Sequence, residues 1–427
     1  MKLAVIGGGS TYTPELIDGI LLRRERLPIT EIVLVDPNLA RVKIVGEFAQ
    51  RMIDFKSGGI KLSWTSNPVE AISGADFVVS QFRVGSQAAR HRDELLGREF
   101  GLIGQETVGV GGFAKALRTI PEVLKIAEII RTYSPEALLI NFTNPAGLIT
   151  ETLQRLASDV KSIGLCNVPW NVRKEIASLL SIDSEKVDLD YVGLNHLSWV
   201  RGVNVGGQNR SDEAIDGFHN LTINQAGGDE EPEWIPQVVQ QMHAVPNYYL
   251  MYYYETREWI EYQKTHPTRA SKVAEIEDVL LKKYSDIHLV EKPPELMQRG
   301  GAYYSDSAAE LMADIATDAG TTHIVNTRNN GAVPRFADDV VMEIPAVITR
   351  SGARSIATTP LRADMHGLVS SVKDFELLTI EAAMSGREDL AKAALLKNPI
   401  GPSEEIVDQL WKRLVEVNLG SLGLFNA

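Results

Sequence analysis

Leu3-Ala4-Val5-Ile6-Gly7-Gly8-Gly9-Ser10-Thr11 opens the chain and decides how the rest of it reads. Four consecutive apolar residues suit a strand buried on both faces. The glycines that follow let backbone approach a pyrophosphate closely, and Pro14 and Glu15 suit the first turn of a helix whose free N–H groups favour that charge. Gly7 and Gly9 fall on the first two glycines of G-x-G-x-x-G, whereas the third position is Tyr12. The next strand-like run, Glu31 to Val35, ends at Asp36, where a carboxylate accepts hydrogen bonds from ribose hydroxyls and repels the extra phosphate of NADP. Gly7, Gly9, Ser10, Thr11 and Asp36 are therefore the predicted NAD contacts.

The alternation continues outward from this turn. A helical stretch from about Leu39 to Phe55, strand-like Lys61–Thr65 and Asp76–Phe82, a helix from about Phe113 to Tyr133 and a strand Ala137–Thr143 predict a doubly wound parallel sheet that closes near Cys166. Beyond about Ser198 this rhythm breaks down. Residues 205–246 read as an irregular excursion with a short helix, and 229–231 as a solvated acidic run. A helix Ser271–Tyr284, the segment Arg299–Tyr304, a strand near His323–Asn326, and helices near Phe375–Met384 and Glu404–Asn418 predict a mixed second half. The expected fold is α/β, with a Rossmann-type domain over 1–166 and an α+β domain over 167–427.

Composition limits the partners. A chain of 427 residues with 44% hydrophobic content has room for two cores, and a formal charge of -13 argues against nucleic acid or an anionic membrane surface. An anionic substrate then requires a local basic pocket. One cysteine precludes an intrachain disulfide and fits a reducing compartment; with neither a signal-like stretch nor a run of 18 apolar residues, a cytoplasmic protein is expected.

That cysteine, Cys166, lies in Ile163-Gly164-Leu165-Cys166-Asn167-Val168-Pro169-Trp170, at the end of a short apolar run and just before a proline that can open a helix. A second run, Tyr191 to Asn195, delivers His196. A thiolate and an imidazole can hold a divalent metal and leave positions open for substrate oxygens, although each residue taken singly is as readily a core residue. Arg83, Arg90, His91 and Arg92 precede a glycine-rich segment, Gly101–Gly112, expected to be a loop or lid near the cofactor. Clustered arginines can clamp a phosphate, or simply face solvent. Pro145 restricts Asn144 to an extended backbone that aims its amide into the cleft. In Tyr248–Tyr254, helical spacing puts Tyr249, Tyr252 and Tyr253 on one face, which suits a core or an interface equally well.

Taken together, Val5-Ile6-Gly7-Gly8-Gly9-Ser10, Gly104-Gln105-Glu106-Thr107, Asn144-Pro145, Cys166-Asn167-Val168-Pro169, Gly193-Leu194-Asn195-His196 and Asn329-Asn330-Gly331 resemble the family 4 glycoside hydrolases, the NAD- and metal-dependent glycosidases, and among them most closely the 6-phospho-β-glucosidases. The family stands outside the usual two-carboxylate scheme. The resemblance implies oxidation at C3 of the sugar by NAD, removal of the C2 proton, elimination at C1, addition of water and re-reduction. It implies a divalent metal, typically Mn2+, on Cys166 and His196, Tyr249 as the general base, and substrate contacts from Arg90, Asn144, Asn167 and Arg269, with the two arginines taking the 6-phosphate. Relatives acting on α-linked phosphoglucosides usually carry Asp at position 167. The amide here favours phosphorylated β-glucosides or disaccharides as substrates. A homodimer or homotetramer follows by the same analogy.

Three other readings are weighed from the sequence: a 6-phospho-α-glucosidase of the same family, a malate- or lactate-type dehydrogenase on the same fold, and a non-catalytic sugar-phosphate sensor, against which the converging tyrosine, metal ligands and cofactor fold speak. The Cys and His pair speaks for a glycosidase, since such a dehydrogenase needs a histidine relay beside an arginine clamp.

Overall fold

The computed structural model describes residues 1–56, 59–225, 232–299 and 304–426. Among these described residues, thirteen strands occur in the order β1 (Lys2–Ile6), β2 (Glu31–Val35), β3 (Lys61–Thr65), β4 (Phe77–Ser80), β5 (Leu138–Asn141), β6 (Ser162–Gly164), β7 (Val187–Leu194), β8 (Leu197–Val205), β9 (Gln208–Asn209), β10 (Val245–Pro246), β11 (Thr322–Arg328), β12 (Val341–Thr349) and β13 (Gly352–Ser355). Six of them form the parallel block β3-β2-β1-β4-β5-β6, the strand order of a dinucleotide-binding sheet. Strand residues alternate between two cores. Ala4, Ile6, Val33 and Val35 pack on one face with the helices Gly109–Tyr133 and Ala146–Leu156, while Leu3, Val5, Ile32 and Leu34 pack on the other with Thr13–Leu22.

The sheet does not end near Cys166 as the sequence suggested. It continues through β6-β11-β12-β7-β8-β10, with antiparallel pairing throughout this stretch. The junction is narrow: Gly164 pairs with Asn326. A Cβ on Gly164 would fall 2.0 Å from Thr150 Oγ1 and 2.8 Å from Asn326 Cβ, so glycine is what lets the two halves meet. The second half also covers the first, since Ala308, Leu311 and Met312 of the helix Tyr304–Thr317 belong to the same core as Leu3 and Val5.

Two further expectations are corrected. The region 205–246 contains a 15-residue helix, Ser211–Gln225, and another at Pro236–Met242; alternating short apolar and polar residues hid an amphipathic helix whose Ala214, Ile215 and Phe218 enter the core. The Gly101–Gly112 segment is not a lid. Its helix begins at Gly109, and Ile103, Glu106, Val108 and Val110 are buried. Its glycines serve close packing: a Cβ on Gly111 would lie 2.0 Å from the Gln105 carbonyl oxygen, and one on Gly104 2.3 Å from that of Glu94. Residues 229–231 and 300–303 lie outside the described residues. Among the described residues, no helix is long and apolar enough to cross a membrane.

Candidate active site

The C-terminal ends of the sheet strands carry two clusters, one at β1 and one where parallel β6 and antiparallel β7 end. At the end of β1 the glycine turn is held tightly. Gly7 has φ +87°, and a Cβ there would sit 2.7 Å from Phe82 Cα. The Gly9 N–H donates to Asp36 Oδ2 at 3.1 Å, and a Cβ on Gly9 would fall 2.6 Å from that oxygen. Asp36 Oδ1 accepts from the Asn38 N–H at 2.9 Å, so its carboxylate is fixed beside the turn. Ser10 Oγ accepts from the Tyr12 N–H at 3.2 Å, and Thr11 is fully buried. Tyr12, in the place of the third glycine, turns away from the sheet and packs with Phe48 and Tyr284. The 16-residue helix Arg269–Tyr284 braces the turn from outside: the Tyr284 hydroxyl donates to the Thr11 carbonyl at 2.8 Å, and Glu277 holds Arg41, whose Nε donates to the Gly9 carbonyl at 2.7 Å.

The second cluster forms where β6 and β7 end. Pro169 opens the helix Val168–Leu179, which stops the chain from extending past Cys166 as strand. After β7 the chain turns sharply into β8, with His196 in the turn at φ +65°. Cys166 Sγ and His196 Nε2 thus come within 3.7 Å although they lie 30 residues apart. Tyr249, on the short turn Tyr248–Leu250, stacks on the His196 ring with centroids 3.7 Å apart and planes 11° from parallel. The neighbouring tyrosines have other surroundings, Tyr252 being buried against Trp259 and Tyr248 exposed.

Burial governs the protonation of this trio. It depresses the His196 imidazole to about 3, so the ring is neutral and one of its two nitrogens carries a lone pair able to bind an ion. Burial, reinforced by Glu343, pushes the Cys166 thiol up to about 12. The Tyr249 phenol is raised above its usual range by burial first, then by Cys166 and Glu106, while Arg90 and Arg269 act in the opposite direction.

Beside the trio lies a buried charge network that the sequence reading did not assemble. Glu106 pairs with Arg83, with Arg90 at 3.3 Å and with Lys115 at 2.7 Å. Burial alone would raise its carboxyl, yet these three cations hold it well below the carboxylate range. Burial, with Arg83 adding to it, lowers Lys115 to about 7. Arg90 also pairs with Glu94 at 2.7 Å, so much of its charge is spent inside the protein. Arg269 is exposed, and its Nη2 donates to the carbonyls of Gln298 and Arg299, each at 3.2 Å. Asn167 stands at the N-terminal end of the helix after Cys166 without a side-chain capping bond and is half-buried, while Asn144 Oδ1 accepts from the Ala146 N–H at 3.2 Å. Glu343 and Lys115 were not anticipated. For Glu343 the available signal was one acid inside the apolar run Val340 to Ile344.

The Cys166–His196 pair fits a divalent ion. Two such ligands on one tetrahedral ion stand about 3.6 Å apart, from Zn–S and Zn–N bond lengths of about 2.3 and 2.1 Å, against the 3.7 Å found here. Among the described residues no third His, Cys, Asp or Glu joins them to make a ligand group, which suits an ion that keeps open positions. The glycine turn with Asp36 fits a dinucleotide in the same way, since its Cβ-free surface has a carboxylate at the ribose end.

Known proteins carry this architecture. Residues 2–182 match the family 4 glycosyl hydrolase profile, and 191–401 match the family 4 glycosyl hydrolase C-terminal domain. The 6-phospho-β-glucosidase of Thermotoga maritima is 40% identical over 420 residues, covering 98% of each chain. That of Escherichia coli is 35% identical over 426 residues, covering 97% of this chain and 94% of its own. The structure of the Thermotoga enzyme with manganese, NAD+ and glucose 6-phosphate superimposes with a TM-score of 0.92 at 38% identity, covering 98% of each chain. The chain belongs to the family 4 glycosyl hydrolases.

Proposed function

We infer that this glycosidase hydrolyses 6-phospho-β-glucosides to glucose 6-phosphate and an aglycone, with NAD+ and a divalent ion, Mn2+ foremost, as cofactors. The observation that carries the reading is the convergence of Cys166, His196 and Tyr249 at strand ends of the sheet that also carries the glycine turn. The likeness to the Thermotoga and Escherichia enzymes and the amide at 167 support the β-linked, phosphorylated substrate.

Bound NAD+ would supply hydride acceptance and return at C3, and the divalent ion Lewis acidity at the oxygens on C2 and C3. The chain's own residues supply the rest. Gly7, Gly9, Ser10 and Thr11 form the pyrophosphate cradle, with Asp36 at the ribose. Cys166 and His196 hold the ion. Tyr249 takes the C2 proton; stacking on His196 fixes its ring, so its oxygen holds one direction relative to the ligand pair. Asn167 binds the sugar but has no titrating proton to give, which leaves water or a good leaving group to complete the departure of the C1 substituent. Arg269 is the stronger phosphate candidate of the two arginines, because Arg90 is already paired with Glu94 and Glu106. Asn144 completes the substrate contacts. Residues 1–166 are assigned to the cofactor, with Arg90, Asn144 and Cys166 reaching from them to substrate and metal, and 167–427 to the remaining substrate and metal contacts and to self-association as a homodimer or homotetramer. A thiolate ligand needs reducing surroundings, which supports a cytoplasmic site of action.

The test is release of p-nitrophenol from its 6-phospho-β-glucoside by reduced protein, with NAD+ and Mn2+ each present or omitted and the α-anomer run in parallel. Release from the β-anomer only when both are present, at constant absorbance of reduced nicotinamide, is the expected result. Preference for the α-anomer overturns the anomeric assignment, and accumulation of NADH would favour a dehydrogenase.

A further inference from the structure

Glu343 is fully buried in β12, where it pairs in register with Gly193 of β7 and Asn326 of β11. Its partners are neutral donors. Tyr191 Oη donates to Oε2 at 2.6 Å, and the amides of Asn195 and Asn326 donate to Oε1 at 3.1 and 3.3 Å. A buried carboxylate held only by neutral groups is expensive unless something positive faces it. Two arms lead from it toward the site. The Asn195 amide, adjacent in sequence to His196, donates to Glu343 at 3.1 Å, and the same side chain favours the ionised form of the Cys166 sulfur. On the other side Tyr191 Oη meets Ser198 Oγ at 2.5 Å, Ser198 Oγ accepts from Asn247 Nδ2 at 2.9 Å, and Asn247 Oδ1 caps the Tyr249 N–H at 3.0 Å.

Hydrogen-bond chemistry limits the proton order along the second arm. An ionised carboxylate only accepts and an amide NH2 only donates. Asn247 therefore donates to Ser198 and Tyr191 to Glu343, while Ser198 gives its proton to Tyr191 or directly to the Glu343 carboxylate, both of which it meets. A neutral amide at 343 disturbs it. With its oxygen kept toward Asn195 and Asn326, its NH2 faces Tyr191, whose proton must then turn to Ser198, and the Ser198 hydroxyl proton is left without its acceptor.

Building on the metal and base roles above, we propose that Glu343 is a positioning residue that fixes the metal thiolate through Asn195 and the turn bearing Tyr249 through Tyr191, Ser198 and Asn247, its negative charge balancing the bound cation. Outer groups of this kind commonly change metal affinity by about ten- to a hundredfold.

The experiment measures Mn2+ affinity by calorimetry, thermal stability of the metal-free protein, and exchange of the substrate C2 proton with solvent at saturating Mn2+ and NAD+, for the whole chain and three variants. For Glu343→Gln, Mn2+ binds ten- to a hundredfold more weakly and C2 exchange slows, while the metal-free melting temperature does not fall. Asn195→Ala weakens Mn2+ binding, leaving exchange at saturating Mn2+ near that of the parent. Ser198→Ala slows exchange without weakening Mn2+ binding. Parent-like Mn2+ affinity in both Glu343→Gln and Asn195→Ala overturns the metal arm, and parent-like exchange in Ser198→Ala overturns the base arm. If Glu343→Gln fails to fold, the other two variants decide both arms. If the parent itself binds no Mn2+, the functional reading falls and this inference with it, a result distinct from the variant failures.

Discussion

Binding of the divalent ion should release protons in a number that the structure dictates. Cys166 sits at about 12 in the metal-free chain, so at pH 8.5 its sulfur is a thiol, and only the thiolate is a ligand. His196 sits at about 3 and is already neutral, so it releases nothing. Glu343, raised by burial to about 7 against the pull of its hydrogen bonds, is mostly ionised at pH 8.5. One proton should therefore leave per Mn2+ at pH 8.5, and the apparent affinity should rise about tenfold per pH unit, because each pKa unit is about 1.4 kcal/mol. Removing the thiol proton at pH 8.5 takes about 5 kcal/mol of the gross binding energy, since the group lies some 3.5 units above that pH. Below pH 7 Glu343 is protonated in the metal-free chain, and a nearby cation favours its ionised form, so the count should climb toward two. The assay is calorimetry of Mn2+ binding in buffers of differing ionisation enthalpy, where the slope of observed heat against that enthalpy counts the protons. A slope of zero at pH 8.5, or an unchanged slope in Cys166→Ala, would refute the assignment of the thiol as a ligand. A slope of two at pH 8.5 would show that a second group, with Tyr249 the first suspect, ionises in the same step.

The nucleotide turn and the core offer two further tests. Gly9→Ala places a methyl 2.6 Å from Asp36 Oδ2 and must displace the carboxylate; NAD+ affinity, read by quenching of protein fluorescence, should fall at least about tenfold, the equivalent of about 1.4 kcal/mol, and parent-like affinity would mean that Asp36 does not serve the ribose. Asp93→Asn leaves the Arg118 guanidinium, buried and otherwise held by Asn418 Oδ1 at 2.8 Å, without its counter-charge; urea denaturation should show a loss of about 3–5 kcal/mol, and a loss below about 1 kcal/mol would show that the pair is not needed to balance that charge.

What could be read from the sequence follows from how local each feature is. The glycine turn, Asp36 and the buried strand runs of the first half are written in contiguous residues, and the structure returns them with ends shifted by a few positions. Cys166 and His196 stood out because each ends a strand-like run. The continuation of the sheet was hidden. Pairing of β6 with β11 rests on residues 164 and 326, and what permits it is the absence of a side chain at Gly164, which in the sequence is one glycine among 34. Tyr249 could be separated from its neighbours only by the family resemblance, because what distinguishes it is a stacking partner brought round by the β7–β8 turn. Glu343 escaped notice for a related reason: an acid in an apolar strand looks like an irregularity until its three donors, from β7, the turn after it and β11, are assembled around it.

The same electrostatics tie the base to the ion. A phenol that is to remove a carbon-bound proton near neutral pH needs a pKa below its ordinary value, yet burial carries Tyr249 the other way, with Cys166 and Glu106 adding to the rise. Arg90 and Arg269 oppose this, but Arg90 is shared with Glu94 and Glu106. Of the two neighbours that raise the phenol, Glu106 is neutralised in place by Arg83, Arg90 and Lys115, so its opposition is largely fixed. Cys166 is the adjustable one. A divalent ion on the sulfur would replace a neutral thiol with a thiolate–ion centre of net positive charge, so the neighbour that raises the phenol when it ionises alone would lower it instead. Tyr249 lies flat against the other metal ligand, His196, so it receives that change at close range and in a low-dielectric setting. On the proposed roles, base and metal site would act as one device: in the metal-free chain the Tyr249 phenol keeps its proton, and loading the Cys166–His196 pair would bring its pKa into range.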